Sequence, residues 1–243
     1  MKKNKLKGWG SVAIHSGHQK DPFYAHLTPI YASSTYIFDS AEQGMHRFTG
    51  QEQGYIYGRW GSPSISEAED KIAALETFGL DIETKAILHS SGMAAITTLL
   101  MSTLSQGDKI LSHFSLYGGT DELVHRILPR FGVSAVIEDL RDLQKAEDAL
   151  KADPHIKMLY LETPANPTIQ CVDIAALSAL AKKYNCLVAC DNTFATPYLQ
   201  QPFALGADFI VHSTTKFLNG HGTAIGGVLI GKDVERMKGP IMK

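Results

Sequence analysis

Cysteine is scarce in this sequence. Only Cys171, Cys186 and Cys190 occur among 243 residues. So odd and thin a count excludes a disulfide framework and fits a reducing, cytoplasmic compartment. Cys186 and Cys190 share the run CLVAC; on a strand that offset spans ~13 Å, too far for a disulfide. The ten histidines include no HExxH or similar ligand spacing, so no metal site is expected and they read as scattered polar or capping residues. Also absent is any run of about 18 apolar residues, which excludes a membrane-spanning helix. Neither sign of charge is in excess. The net charge of −2 argues against nucleic acid or an anionic membrane as partner. The start MKKNKLKGWG is basic, but no apolar stretch follows it, so it does not read as a secretory leader. No internal repeat or low-complexity tract is visible.

What is present reads as an ordinary globular chain, 44% hydrophobic and 20% charged, long enough for one large α/β domain. Roughly the first 60 residues lack sustained periodicity and are rich in Gly, Pro, Ser, Thr and Tyr, which predicts an extended arm over residues 1–62. Pro63, between Ser62 and Ser64, then opens a helix with Ile65, Ala68, Ile72 and Leu75 on one side. Beyond it, near-continuous apolar runs at 86–89, 109–113, 133–139, 157–162, 186–190, 208–213 and 226–231 read as strands. Helical patterns at 92–104, 120–131, 143–152 and 173–184 fall between several of them. Continuous rather than alternating apolarity marks strands buried on both faces. Strand–helix alternation predicts a mainly parallel sheet flanked by helices, an α/β class, over 63–243.

In such sheets ligands bind beyond the carboxyl ends of the strands. The first run leads into SSGMAA, where a capped helix start offers free N–H groups to an anion. KILSH leads to Tyr117 before Gly118 and Gly119, KMLYLE to Glu162 and Asn166, CLVAC to Asp191, and DFIVHS to Lys216. A lysine at the end of a buried strand either reaches solvent or reacts. Each feature alone has a structural reading as cap, turn or surface lysine. Together, a lysine able to form a Schiff base, a carboxylate for a ring nitrogen, an aromatic for a flat ring and a cradle for phosphate describe a site for pyridoxal 5′-phosphate (PLP).

The stretch DFIVHSTTKFLNGHG resembles the pyridoxal-lysine signature of the Cys/Met-metabolism family of PLP enzymes, which includes cystathionine γ-lyase, cystathionine γ-synthase, methionine γ-lyase and O-acetylhomoserine sulfhydrylase. SSGMAA, LYGGT, ETPANP, DNTFATP and YGR stand in the family's order over most of residues 55–231. The resemblance implies the aspartate-aminotransferase-like fold (fold type I) and β/γ-elimination or γ-replacement on sulfur amino acids or activated homoserine. It further implies that Lys216 holds the cofactor and moves protons, that Asp191 pairs with the ring nitrogen and that Tyr117 stacks on the ring and helps the leaving group. Gly92 and Met93 then meet the phosphate through backbone N–H groups, Ser213 and Thr215 through hydroxyls, and Asn166 orients the ring hydroxyl. Glu162 stands at the same rim with no assigned role. Tyr57 and Arg59 are expected to reach the phosphate of a neighbouring copy, making the unit a homo-oligomer, a dimer of shared sites commonly built into a tetramer.

The sequence departs from the family pattern in four places. Ser62 replaces the Asn of YxRxxNPT, a change in a turn. Gly119 stands where methionine γ-lyases carry a cysteine. GHGTAIGG after the lysine is more similar to the sulfhydrylases than to the GHSD of cystathionine enzymes. Relatives also continue into a smaller C-terminal domain that supplies the arginine for the substrate carboxylate, whereas this chain stops at Lys243. If the natural chain is this short, poor PLP binding or slow turnover is expected. Two other readings stay open: a PLP aminotransferase, and a non-catalytic truncated homologue.

Overall fold

A computed structural model describes residues 8–19 and 21–241. The basic start MKKNKLK, expected not to be a leader, lies outside the described residues. The chain forms two compact units that divide between Phe78 and Gly79. The expected boundary was at 62/63; the helix that opens at Pro63 groups with the first unit.

The first unit is largely irregular, but it is not wholly an extended arm. It holds the helices α1 (Trp9–His15), α2 (Ala41–Phe48) and α3 (Pro63–Glu76). α2 starts because Ser40 Oγ accepts from the Gln43 amide at 3.1 Å while Gln43 Oε1 accepts from the Asp39 amide at 2.8 Å, a near-reciprocal cap. α3 starts as expected, with Ser62 as N-cap and Pro63 in its first turn. Its most buried residues are Glu69, Ala73 and Glu76 rather than the predicted face, and Ile65 is exposed.

The second unit is a seven-stranded sheet in the order β1-β7-β6-β5-β4-β2-β3. The strands are β1 (Lys85–His89), β2 (Lys109–His113), β3 (Ser134–Glu138), β4 (Ile156–Glu162), β5 (Leu187–Asp191), β6 (Phe209–His212) and β7 (Gly227–Gly231). β2 to β6 pair in parallel, while β7 runs antiparallel to both β1 and β6. Since β7 opposes both neighbours, β1 and β6 point the same way. Six carboxyl ends therefore share one rim, which is what positions the site.

The helices α4 (Gly92–Thr103), α6 (Leu143–Ala152) and α7 (Ile174–Lys183) lie within the expected spans. The helix predicted over 120–131 is instead three pieces: α5 (Gly118–Glu122), a π-turn over Leu123–Ile127 and a 3₁₀ turn over Leu128–Phe131. Pro129 lacks the N–H an α-helix would need there, so the ladder changes register around it. Two apolar cores form. Met158 and Tyr160 of β4 join α4 residues such as Leu99 in one; Leu159 and Leu161 join Leu150 and Leu177 in the other. Successive residues of β4 thus face opposite layers, which explains its unbroken apolar run. Each of these fully buried side chains contributes about 1.5–3 kcal/mol.

Candidate active site

At the rim of the second unit lies a cavity of about 400 Å³, within the usual size of a small-molecule site. Every site residue predicted from this unit lines it: Gly92 and Met93, Tyr117, Asn166, Asp191, and Ser213, Thr215 and Lys216. The parallel register brings Glu162 of β4 and Asp191 of β5 directly opposite each other. Lys216 follows β6 on an exposed loop, its amide donating to the Ser213 carbonyl at 3.2 Å.

The anion cradle has a physical basis in the start of α4. Of the first helical amides, those of Ala94 and Ala95 are taken by Ser91, through its hydroxyl at 3.1 Å and its carbonyl at 3.1 Å. The amides of Gly92 and Met93 have no intrahelical partner. Gly92 also has no room for a side chain, since a Cβ there would meet Ser213 Cβ at 2.8 Å. The close approach of α4 to the end of β6 therefore depends on glycine.

Asp191 is 9% exposed. Its Oδ1 accepts from the Thr193 amide at 3.0 Å and from the Thr193 hydroxyl at 2.5 Å; its Oδ2 accepts from Tyr160 Oη at 3.4 Å. Burial pushes its carboxyl upward, opposed by the Thr193 hydrogen bonds, the field of His212 and the Tyr160 bond. Glu162, 8% exposed, accepts from the Tyr117 amide at 2.7 Å and the Asn166 amide at 3.0 Å. Burial first, and the charge of Asp191 as a further cause, push it up to about 7 against those two bonds. Burial, with Asp191 and Glu162 nearby, also drives the Tyr160 phenol well above its ordinary range.

Tyr117 is half-exposed at the cavity. A Cβ at Gly119 would meet its ring at 2.8 Å and Met93 Sδ at 3.0 Å, so the missing side chain at 119 leaves room for the ring. Thr215 is less free than expected: its hydroxyl donates to the Gly226 carbonyl at 3.2 Å and accepts the Gly226 amide at 3.0 Å. Tyr57 and Arg59 belong to the first unit. There the Arg59 guanidinium lies 5.5 Å over the Tyr57 ring and 5.6 Å over Trp60. Thr193 and the double bonding of Glu162 were missed by sequence reading. Thr193 stood within DNTFATP with nothing to mark its hydroxyl as bridging two strand ends.

The three cysteines are free thiols, and burial pushes Cys186 up to about 12. No group of metal-ligating side chains occurs among the described residues. Among the same residues no helix is long and apolar enough to cross a membrane.

These residues fit PLP. Asp191 is a buried acid that no lysine or arginine neutralises among the described residues; a protonated ring nitrogen would supply such a cation. The cradle at Gly92 suits the phosphate, and an accessible amine stands in the same cavity. An α/β protein with this rim belongs to the class that binds PLP through a lysine. More particularly, the chain belongs to the Cys/Met metabolism PLP-dependent enzyme family, whose sequence model matches residues 10–242. It is 46% identical over 227 residues to an L-methionine gamma-lyase of Treponema denticola, covering 93% of this chain and 55% of that protein. It is 39% identical over 228 residues to an O-succinylhomoserine sulfhydrylase of Pseudomonas aeruginosa, covering 94% of this chain and 55% of that one. A solved structure from Campylobacter jejuni that contains N′-pyridoxyl-lysine-5′-monophosphate matches with a TM-score of 0.86 at 36% identity, over 95% of this chain and 56% of that one. The chain thus spans little more than half the length of these relatives.

Proposed function

We propose that the protein is a PLP-dependent enzyme of sulfur amino-acid metabolism, acting by β/γ-elimination or γ-replacement on sulfur amino acids or activated homoserine. The observation that carries this reading is the presence of the Lys216 amine and the buried Asp191, with no lysine or arginine beside it among the described residues, in one cavity beside the start of α4. Bound PLP supplies an electron sink for carbanions. Lys216 Nζ would hold the cofactor aldehyde and, once the substrate amine takes its place there, the freed amine would move the proton at the substrate α-carbon. Asp191 keeps the ring nitrogen protonated. Tyr117 covers the ring face, and its phenol helps the leaving group depart. Asn166 orients the ring hydroxyl. The amides of Gly92 and Met93, with the Ser213 hydroxyl, hold the phosphate; Thr215 joins them once its proton turns from the Gly226 carbonyl. The names of the relatives include both a lyase and a sulfhydrylase, which supports this range of reactions and not one substrate.

We further propose a cytoplasmic homo-oligomer whose sites are shared. Arg59 is an exposed guanidinium held on aromatic faces and paired with no carboxylate among the described residues, and its planar fork suits phosphate oxygens. Phe23, Ile30 and Ile37 of the first unit are each at least 90% exposed. So much apolar surface favours burial against another copy.

The test is spectroscopic and chemical. Incubation with PLP should give an absorbance band near the visible edge that borohydride fixes and that Lys216→Ala abolishes. Cysteine, methionine, cystathionine and O-acetylhomoserine should then be offered in parallel, with sulfide, thiol, 2-oxo acid and ammonia assayed. A stable amine form of the cofactor without release of sulfur would turn the reading to an aminotransferase; no Lys216-dependent band would leave a non-catalytic homologue.

A further inference from the structure

The family pattern assigns Asp191 to the ring nitrogen but leaves open what sets its carboxylate at the right angle. The geometry answers through one hydroxyl. Thr193 Oγ1 donates to Asp191 Oδ1 at 2.5 Å and accepts from the Ser213 amide at 2.8 Å, while the Thr193 amide donates to the same Oδ1 at 3.0 Å. Oδ1 is thereby committed to two donors from one residue. Among the described residues Oδ2 receives only the distant Tyr160 phenol, at 3.4 Å, and keeps an acceptor position open. Thr193 itself lines the cavity. It also links the ends of β5 and β6, the first carrying Asp191 and the second leading to Ser213 and Lys216.

We propose that Thr193 is the positioning residue of the cofactor site: its hydroxyl clamps Oδ1 of Asp191 and so presents Oδ2 to the ring nitrogen. The proposal rests on the PLP reading and deepens it, because it says which carboxylate oxygen meets the cofactor and what holds it. A buried carboxylate is poorly placed if it can rotate; two donors on one oxygen remove that freedom. The Thr193 bonds also oppose the upward push of burial on Asp191, so they favour the ionised form that a cationic ring needs. A merely structural role predicts something different. The Ser213 amide would lose its acceptor in any variant without the hydroxyl, which weakens the rim whatever ligand is present.

The experiment measures binding in the full natural chain, by absorbance titration of wild type, Thr193→Val and Thr193→Ser. Each takes two ligands, PLP and a carbon analogue in which CH replaces the ring nitrogen. Thr193→Val is expected to weaken PLP about tenfold more than it weakens the analogue, the loss of one hydrogen bond to a charged group; Thr193→Ser should restore PLP binding. Urea denaturation of the cofactor-free variants checks folding. Should the valine variant fail to fold, Thr193→Ala removes the hydroxyl without a second methyl and gives the same contrast. Equal losses for both ligands, or no loss for either, would overturn the proposal. A wild-type chain that takes up the analogue and PLP equally badly overturns the cofactor reading itself, and the proposal with it.

Discussion

Two carboxylates facing each other across β4 and β5 set the chemistry of the site at the scale of single residues. Glu162 has a folded-state pKa raised to about 7 from an ordinary 4.5, because burial outweighs its two backbone bonds. The folded protein then holds a proton between those values that the unfolded chain releases. Its stability contribution is complete below about pH 4.5 and is lost as pH rises through about 7. The full effect is on the order of 3 kcal/mol, since each tenfold change in proton affinity is worth about 1.4 kcal/mol. Asp191 is displaced in the same direction and adds to the trend. Cofactor-free wild type should therefore have a lower urea midpoint at pH 8 than at pH 5, and Glu162→Gln should flatten that difference. Equal pH slopes in the two proteins would remove Glu162 as the cause. The glutamine also brings an N–H₂ group toward one of the two amide donors, a pH-independent cost of about 1–3 kcal/mol. None of this was legible in the sequence. Glu162 could be placed at a strand end, but its two amide partners come from different loops, and only the register with Asp191 reveals the crowding of charge.

Among the elements, the strands were the most legible, since burial on both faces writes itself as an apolar run. All seven expected runs became strands, within two residues at the ends. Strand direction was not legible: GGVLIG is equally apolar whichever way it runs, and β7 is antiparallel to both neighbours. The short α2 was missed because it is brief and carries few apolar side chains, Ala41, Met45 and Phe48, although Ser40 and Gln43 carry a capping signal. The placement of β7 yields a sharp expectation. A methyl on Gly227 would fall inside the carbonyl of Ser91 and lie 2.7 Å from the Gly92 nitrogen. Both obstacles are backbone, so no side chain can turn aside. Gly227→Ala should cost more than about 3 kcal/mol and, by moving the start of α4, should weaken PLP uptake as well. Gly118→Ala is the control, because nothing lies within 4 Å of a Cβ there. Comparable urea midpoints for the two variants would show that β7 and α4 can separate without penalty.

For the molecule as a whole, the question is whether one copy of the chain suffices for a site. The family resemblance made Tyr57 and Arg59 legible as residues for a neighbour's phosphate, while nothing in their local spacing pointed there. The proposal of shared sites makes a quantitative demand on mixtures. Arg59→Ala impairs the phosphate contact that a chain offers its neighbour; Lys216→Ala removes the amine from its own cavity. Each variant alone has two damaged sites per dimer. In a mixed dimer, the intact Lys216 of one chain meets the intact Arg59 of the other, and both lesions fall in the remaining site. Random pairing of equal amounts makes half of all dimers mixed, so about a quarter of the sites should be whole in a symmetric two-fold assembly. Co-refolded variants, assayed for turnover of a sulfur substrate at limiting PLP, should therefore exceed the mean of the two parents and approach that fraction of wild type. A mixture that only averages its parents would place Arg59 and Lys216 of the same chain in one site, or Arg59 in none, and the first unit would need another explanation for its exposed apolar surface.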